Sequence, residues 1–314
     1  MNIDWTPTIP EQRRQRGLVV FAPILALTVG LALAGSASAD IAVKDDAGQE
    51  IHLKAPARRI VALAPHIAES LYAVGAGDRL VGTVDYSDYP PEAKKVPRVG
   101  GYSRIDLEAV AALKPDLVLA WESGNAATQV DKLKALGLTV YVSQPNKIEN
   151  VADQLERLGQ LAGTETVARQ AAERFRQRLD TLRRANAGKA KVRTFYQIWK
   201  TPLMTVGGPQ IISDAIRICG GENVFGNLKQ MAPTVGVEAV LEADPEAIIA
   251  TGMGDARPDW LNDWDKWTRL TAVRRNNLFH INPDIMQRHT PRILDGTERL
   301  CAHLDVARSH RPAQ

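Results

Sequence analysis

The sequence predicts an α/β protein of two similar lobes, each a parallel sheet flanked by helices. A single long rigid helix joins the lobes and leaves a ligand cleft between them. Three observations lead to this fold class. Strand-length apolar runs alternate with helical patterns, one segment is a long unbroken helical pattern, and one unit occurs twice. The repeated unit is LEAVAALKPDLVLAW at 107–121 and VEAVLEADPEAIIAT at 237–251.

The alternation of strands and helices indicates parallel sheets, because crossover helices cover both faces of such a sheet. The predicted strands are 59–64, 80–84, 117–121 and 139–143 in the first half, and 193–199, 246–251 and 278–282 in the second. The predicted helices are 68–76, 107–113, 125–137, 211–221, 237–243 and 291–307. Gly137 is the C-cap glycine of the third helix. Both halves therefore follow one plan.

The segment 164–189 predicts the connecting helix. Its apolar residues fall at helical spacing on one face and its other face is Arg, Glu and Gln, with no Pro or Gly before Gly188. The face comprises Val167, Ala171, Phe175, Leu179 and Leu182. We expect an N-terminal lobe at 40–163, an interlobe helix at 164–188, a C-terminal lobe at 189–308 and a tail at 309–314.

Residues 1–39 have the pattern of a secretory signal peptide. A basic start precedes an apolar run and the small residues Ala37-Ser38-Ala39, which predicts cleavage before Asp40. The alternative is a membrane anchor, for which a run of about 17 to 18 residues is short. Arg13-Arg14 leaves the export route open between the general secretory and twin-arginine pathways. The predicted location is the periplasm.

The chain has two cysteines, Cys219 and Cys301, and a formal net charge of +3. In an exported protein such a pair favours a disulfide over two separate buried thiols. Basic residues are scattered and do not cluster with aromatic residues, so we expect no nucleic-acid partner. We expect a monomer.

The loops after the predicted strands contain a high share of the aromatic residues, which are only 5% of the chain. Tyr86, Tyr102 and Trp121 belong to the first lobe, and Trp199 ends the first strand of the second. Ligands of open α/β sheets bind at the carboxyl ends of the strands, so these side chains predict stacking on a flat apolar ligand. For Trp121 the alternative is an ordinary rim aromatic. Trp260, Trp264 and Trp267 have helical spacing and predict core packing.

Other polar residues of the cleft loops leave several roles open. His66 and His289 are weak candidates for a metal or haem iron, since each lacks a second ligand at motif spacing. Asp284 and Arg288 are four residues apart, which fits either a surface ion pair or a grip on a polar ligand edge. No nucleophile elbow, P-loop, dinucleotide fingerprint or zinc-protease motif occurs. An enzyme is therefore not expected, and neither is a cofactor.

Several motifs resemble one family of transport proteins. They are RIVALAPHIAESLYAVGAGDRLVG, YSDYPPEA, the repeated-unit stretch ending in LVLAW with SGNA and QVDKLKALG after it, CGGENVF and TPRILDGTERLC. Together they resemble the helical-backbone metal receptors, periplasmic binding proteins of ABC importers, and within them the cobalamin (corrinoid)-binding branch. The likeness runs over about residues 58 to 305.

The resemblance implies a corrin held between two lobes and delivered to membrane permease subunits. It assigns ligand contacts to Tyr86, Tyr102, Trp121, Ile198 or Trp199, Asp284 and Arg288, and it supports the pairing of Cys219 with Cys301. Tyr102 and Ala232 stand where the branch has tryptophan, which keeps a cobinamide-like corrinoid open beside cobalamin. A haem or ferric-siderophore carrier is the alternative function.

Glu108 and Glu238 occupy the same position in the two copies of the repeated unit. A glutamate in the first turn of a helix is favoured by the helix dipole, which alone could explain the pair. The resemblance implies a second role, in which the two glutamates dock onto arginines of two-fold symmetric membrane subunits. Both roles stay open at the level of the sequence.

Overall fold

The computed structural model describes residues 40–252, 254 and 256–312. The predicted signal peptide at 1–39 lies outside these residues. The first part of the described chain forms β1 (Ile41–Lys44), β2 (Glu50–Leu53), β3 (Ile60–Ala62), α1 (Pro65–Ala73), β4 (Leu80–Thr83), β5 (Gly100–Gly101), β6 (Arg104–Ile105), α2 (Leu107–Ala112), β7 (Leu117–Trp121), α3 (Ala127–Ala135), β8 (Val140–Ser143) and α4 (Ile148–Ala162). The long helix α5 (Glu165–Asn186) follows.

The second part forms β9 (Val192–Trp199), β10 (Met204–Thr205), α6 (Ile211–Ile218), β11 (Gly221–Asn223), α7 (Val237–Ala243), β12 (Ala247–Ala250), α8 (Thr271–Arg274), β13 (Leu278–His280), α9 (Pro283–Met286) and α10 (Ile293–Ser309). Short 3₁₀ segments lie at Gly77–Arg79, Pro91–Lys95 and Asp259–Trp264. Within the described residues, every helix is too short or too polar to span a lipid bilayer.

Each lobe is built on one sheet with the expected parallel strands. The first sheet has the order β4-β3-β7-β8 and is parallel throughout. The second has the order β10-β9-β12-β13, with β11 also beside β9. Its β9, β11, β12 and β13 pair in parallel, whereas β10 is antiparallel to β9. The α/β prediction is confirmed, and the antiparallel edge strand is an addition to it.

The predicted helix at 211–221 is too long. It ends at Ile218, and Gly220 has a φ of +70°, a backbone conformation that stops the helix. Gly221–Asn223 then pairs with the start of β9. The helix α4 and the hairpin of β1 and β2 were not among the predicted elements.

Helix α5 packs against both lobes. Its buried face contains Ala168, Ala171, Ala172, Phe175, Leu179 and Leu182. Val167 was predicted on this face but is 43% exposed. The first buried residue of the helix is Ala168 instead. Arg176 and Arg183 pair with acidic residues of α4 at 2.6–2.9 Å, while Arg178 pairs with acidic residues of α10 at 2.6–2.8 Å. Apolar burial and ion pairs thus fix the helix to both halves.

One hydrophobic cluster runs through the whole described chain. It includes Ile60 of β3, Leu155 of α4, Phe175 of α5, Ile249 of β12 and Leu304 of α10. Separate clusters cover the other face of each sheet. The lobes therefore share a continuous core.

Cys219, just after α6, and Cys301 of α10 form the predicted disulfide, with an S–S distance of 2.02 Å. At the chain's end, Arg311 was assigned to a tail but pairs with Glu246 at 2.8 Å. This contact holds the segment after α10 against the second lobe.

Candidate ligand cleft

The loop after β7 fixes Trp121 at the end of its strand. The Trp121 backbone N–H donates to Asn125 Oδ1 at 2.6 Å, and Asn125 Nδ2 donates to the carbonyls of Leu63 and Tyr102 at 2.9 and 2.7 Å. A Cβ at Gly124 would lie 1.8 Å from Trp121 Cε3, so only glycine leaves space for the indole. The Trp-x-x-Gly-Asn motif is thus the local cause of the Trp121 position.

Tyr102 lies in the hairpin between β5 and β6, with its ring centroid 5.8 Å from that of Trp121. Gly100 has a φ of +98°, and a Cβ there would lie 2.6 Å from the Arg104 carbonyl. The hairpin can therefore close only on glycine. Tyr102 and Trp121 form the aromatic centre of the first lobe.

The other aromatic residues predicted to contact the ligand, Tyr86 and Trp199, are exposed to solvent. Tyr86 follows β4 with a φ of 64° and is 66% exposed. In the second lobe Trp199 ends β9 and is 41% exposed, while its neighbour Ile198 is half-buried and packs against the shared core. Trp199 is the more accessible of the two. Trp264 is buried, and its Nε1 donates to Gln197 Oε1 at 2.8 Å, so the prediction that it packs in the core is confirmed.

Arg288 joins the two lobes at their interface. Its guanidinium contacts Asp284 at 2.9 Å, as the spacing predicted, and also Asp88 of the first lobe at 2.8 Å. The Arg288 side chain is only 12% exposed. The interpretation as a simple surface ion pair is therefore wrong, because the contact with Asp88 draws Arg288 into the interface between the lobes.

Residues that the sequence analysis did not select form a second connection. Arg292 binds both carboxylate oxygens of Glu69 at 2.6 and 2.7 Å, and its guanidinium lies 3.6 Å from the ring centroid of Tyr89. Glu69 is almost fully buried. Glu69 stands three residues after His66 in APHIAES and Arg292 four after Arg288, so helical spacing was the available signal. Their partners lie more than 200 residues away, which no local pattern indicates.

His66 and His289 meet across the same interface. Their ring centroids are 5.1 Å apart, and both side chains are buried. Burial, His289 and Arg288 hold the pKa of His66 well below 6.5, and burial lowers the pKa of His289 to about 4. Both imidazoles are therefore neutral near pH 7. Among the described residues, no three His, Cys, Asp or Glu side chains form a group able to hold a metal ion.

Glu108 and Glu238 each lie in the first turn of a short helix. Glu108 is on α2 and Glu238 on α7, and both are exposed. Neither forms an ion pair with another described residue. Their roles and those of the cleft residues stay predictions.

A family model described as "Periplasmic binding protein" matches residues 60–285, which is most of the chain. The chain belongs to the periplasmic binding protein family. Its relatives include the vitamin B12-binding protein of Vibrio cholerae strain O395, which is 38% identical over 252 residues, or 80% of this chain and 91% of the relative. The vitamin B12-binding protein of Yersinia pestis strain Pestoides F is 37% identical over 259 residues, covering 81% and 90%.

Solved structures of the family agree with the fold. The crystal structure of a periplasmic vitamin B12 binding protein of Vibrio cholerae matches with a TM-score of 0.75 and 37% identity, over 81% of this chain and 98% of that one. A periplasmic heme binding protein from Pseudomonas aeruginosa matches with a TM-score of 0.69 and 24% identity, over 82% and 95%. The second likeness extends to the fold alone. The expected family is therefore confirmed.

Proposed function

We propose that this chain captures a corrinoid, either cobalamin or a cobinamide-like corrinoid, and delivers it to the membrane subunits of an ABC importer. The observation that carries the proposal is the similarity to vitamin B12-binding proteins over four fifths of the chain. The aromatic rings at the strand ends support it. The chain then acts as a carrier, without catalysis and without a cofactor of its own.

The proposed binding residues are Tyr86, Tyr102, Trp121, Trp199 with Ile198, Asp284 and Arg288. Rings of Tyr102 and Trp121 provide stacking faces, worth roughly 0.5–1.5 kcal/mol for each aromatic contact. A nanomolar affinity requires about −12 kcal/mol. Stacking alone is therefore insufficient, and burial of the corrin between the lobes must supply much of the rest. Asp284 and Arg288 offer hydrogen bonds to the amide groups at a corrin's edge.

We also propose the cellular setting. Residues 1–39 direct export to the periplasm and are removed, leaving a monomer of two lobes at 40–163 and 189–308 joined by the helix at 164–188. Glu108 and Glu238 dock onto basic residues of the two membrane subunits. Their exposure and the absence of an ion pair with another described residue leave both carboxylates available for a partner.

A haem or ferric-siderophore carrier is the second candidate. The buried imidazoles of His66 and His289 favour it, since each has a ring nitrogen without a hydrogen-bond partner among the described residues. Haem iron commonly takes a neutral imidazole as an axial ligand. Either histidine would have to leave the contact between the lobes to reach the iron.

The test is a set of calorimetric titrations with cyanocobalamin, dicyanocobinamide, haemin and ferrichrome, each followed by desalting and a visible spectrum. We expect one corrinoid per chain and a red colour that remains after desalting. Retention of haemin with no heat from either corrinoid would replace the corrinoid proposal with the second candidate. No binding of any of the four would contradict both.

A further inference from the structure

Ring-to-ring contacts between the two lobes lie beside Trp121. His66 is the second residue of α1, and His289 lies between α9 and α10. The Trp121 ring is T-shaped to both, with centroid distances of 5.1 Å to His66 and 6.1 Å to His289 and interplanar angles of 85° and 89°. The two imidazoles are themselves 5.1 Å apart. One indole and two imidazoles thus form a compact cluster, which we call the interlobe triad.

We infer that His66 and His289 are positioning residues for Trp121, which hold its indole ring in place and join the two lobes while both imidazoles are uncharged. His66 comes from the same lobe as Trp121 and His289 from the other. The indole is therefore contacted by one imidazole from each lobe. The inference rests on the proposed function in one respect, which is that Trp121 contacts the cargo.

Burial makes the contact sensitive to charge. His66 is 3% exposed and His289 is 2% exposed. His66 Nε2 and His289 Nδ1 have no hydrogen-bond partner among the described residues. A proton on either nitrogen would create a buried cation without a hydrogen-bond acceptor.

The charged groups around the triad are already paired with one another. Arg288 is the cation that faces His66, and it contacts Asp284 and Asp88. Glu69, one turn along α1 from His66, is bound by Arg292. The carboxylates from α1, α9 and the segment after β4 are thus engaged by arginines and are not free to neutralise an imidazolium.

The carboxylate of Asp88 remains charged over the range in which histidine titrates. Its burial would raise its pKa, but the hydrogen bond and charge of Arg288 outweigh this effect and hold the pKa below 3.8. The bridge between Asp88 and Arg288 therefore persists through mild acidification. A structural change in the triad between pH 6.5 and pH 4 is then caused by protonation of the two histidines.

The direction of the pH effect follows from the depressed pKa values. A histidine exposed by separation of the triad has a pKa near 6.5, so the separated form binds more protons than the intact form below that pH. The triad is at full stability above pH 6.5 and loses it as pH falls toward 4. For His289 alone, the ratio of separated to intact triad rises about 30-fold by pH 5, given a pKa of about 4 in the intact form. His66 adds to this change.

The first experiment uses the ligand-free protein and needs no cargo. Histidine C2–H resonances and the difference in tryptophan emission between the wild type and Trp121→Phe are followed from pH 7.5 to 4. We expect the resonances of His66 and His289 to stay in the neutral form well below pH 6.5. The Trp121 emission should shift to the red together with the titration of the pair, and circular dichroism at each pH checks that the fold persists.

Two sets of variants test the cause. In His66→Gln/His289→Gln, the Trp121 emission should become independent of pH, whereas His52→Gln should behave as the wild type. At pH 7.5, His289→Lys should bind cyanocobalamin at least tenfold more weakly than His289→Gln, because only lysine introduces a buried charge. An unchanged Trp121 emission in the wild type, or the same shift in the double glutamine variant, would overturn the inference. Failure of the wild type to bind either cyanocobalamin or dicyanocobinamide at pH 7.5 would instead contradict the proposed function.

Discussion

The side chain of Asn125 connects three segments that are distant in the sequence. Its amide binds the backbone of Trp121, Leu63 and Tyr102, at the ends of two neighbouring strands and in the hairpin beside them. Each of these hydrogen bonds involves a buried or half-buried group, for which an unpaired state costs roughly 1–3 kcal/mol. A single side chain thus fixes the positions of Trp121 and Tyr102 in the first lobe.

Trp121 and Trp264 allow cargo binding and core packing to be separated. We expect Trp121→Ala to weaken corrinoid binding by at least tenfold, since it removes one of the proposed stacking faces for the ligand. Trp264→Ala should instead lower the free energy of unfolding by about 3–5 kcal/mol, because the ring is 4% exposed and lies in the core of the second lobe. Calorimetric titration and urea unfolding of both variants measure the two effects.

Equal losses of affinity in the two folded variants would contradict this assignment of roles. Trp264→Phe is the matched control, because it retains most of the buried volume and loses only the hydrogen bond to Gln197. We expect it to bind cargo as tightly as the wild type.

At the scale of elements, the two copies of the repeated unit share details of backbone conformation and hydrogen bonding as well as the order of helix and strand. Lys114 and Asp244, each directly before the proline of its unit, both have a positive φ, of 47° and 37°. Arg59, directly before β3 and thus beside the first copy's strand β7, donates to the Leu113 carbonyl at 2.7 Å. In the second copy Arg193 donates in the same way to the carbonyl of Ala243. Each short helix is thus terminated by a left-handed residue and an arginine from a neighbouring strand.

Glycine substitutions at the two left-handed positions should have opposite effects. Lys114→Gly should raise the free energy of unfolding by about 0.5 kcal/mol, because glycine adopts a positive φ without the cost of a Cβ. Asp244→Gly should lower it by roughly 1–2 kcal/mol, since the Asp244 carboxylate accepts two hydrogen bonds of 2.7 Å from Thr271. Urea unfolding distinguishes the two, and a change of the same sign in both variants would refute this explanation.

At the scale of the whole molecule, the lobes are joined by more than the long helix. Asp214 of α6 accepts a hydrogen bond of 3.0 Å from the first backbone N–H of α4, so the second lobe caps a helix of the first. Glu69 and Arg292 add a two-oxygen salt bridge. Together with α5 and the shared core, these contacts oppose a wide hinge motion. A rigid pair of lobes keeps Glu108 and Glu238 at a fixed separation.

The proposed docking of Glu108 and Glu238 on two symmetric membrane subunits requires a fixed separation, and it yields a prediction for transport. The double variant Glu108→Gln/Glu238→Gln should lose uptake in vesicles containing the cognate importer, while its affinity for cargo should remain within about twofold. Charged pairs at an interface contribute to orientation and to the rate of association. Raised salt should therefore weaken docking of the wild type, because exposed charges are screened.

Glu242→Gln is the matched control, since Glu242 is an exposed glutamate at the opposite end of α7. It should transport as the wild type does. Normal uptake by the double variant, with only the loss of roughly 0.3–1 kcal/mol in stability for each glutamate expected from the helix dipole, would leave a structural role as the explanation of the repeated glutamates.

Several elements with strong local patterns were predicted from the sequence, whereas the strands of two residues were not, and the 15-residue helix α4 was also missed. The strand over 117–121 and the helix over 237–243 have the predicted bounds, because their apolar periodicity is a local property. The pairs β5 with β6 and β9 with β10 are each based on a strand of two residues, whose existence depends on the partner opposite it. The exposure of Val167 has a similar origin, since which side of α5 is buried depends on how α4 packs against it.

The sequence by itself determined the α/β class, the duplication, the long helix, the cysteine pair and the aromatic strand ends. Each of these follows from composition, spacing or periodicity within a short segment. Only the tertiary structure decided that Arg288 reaches Asp88, that Arg292 binds Glu69, and that His66 faces His289. These contacts join residues about 200 or more positions apart. Their energies depend on burial and on the charge that lies opposite, and both exist only once the two lobes have packed together.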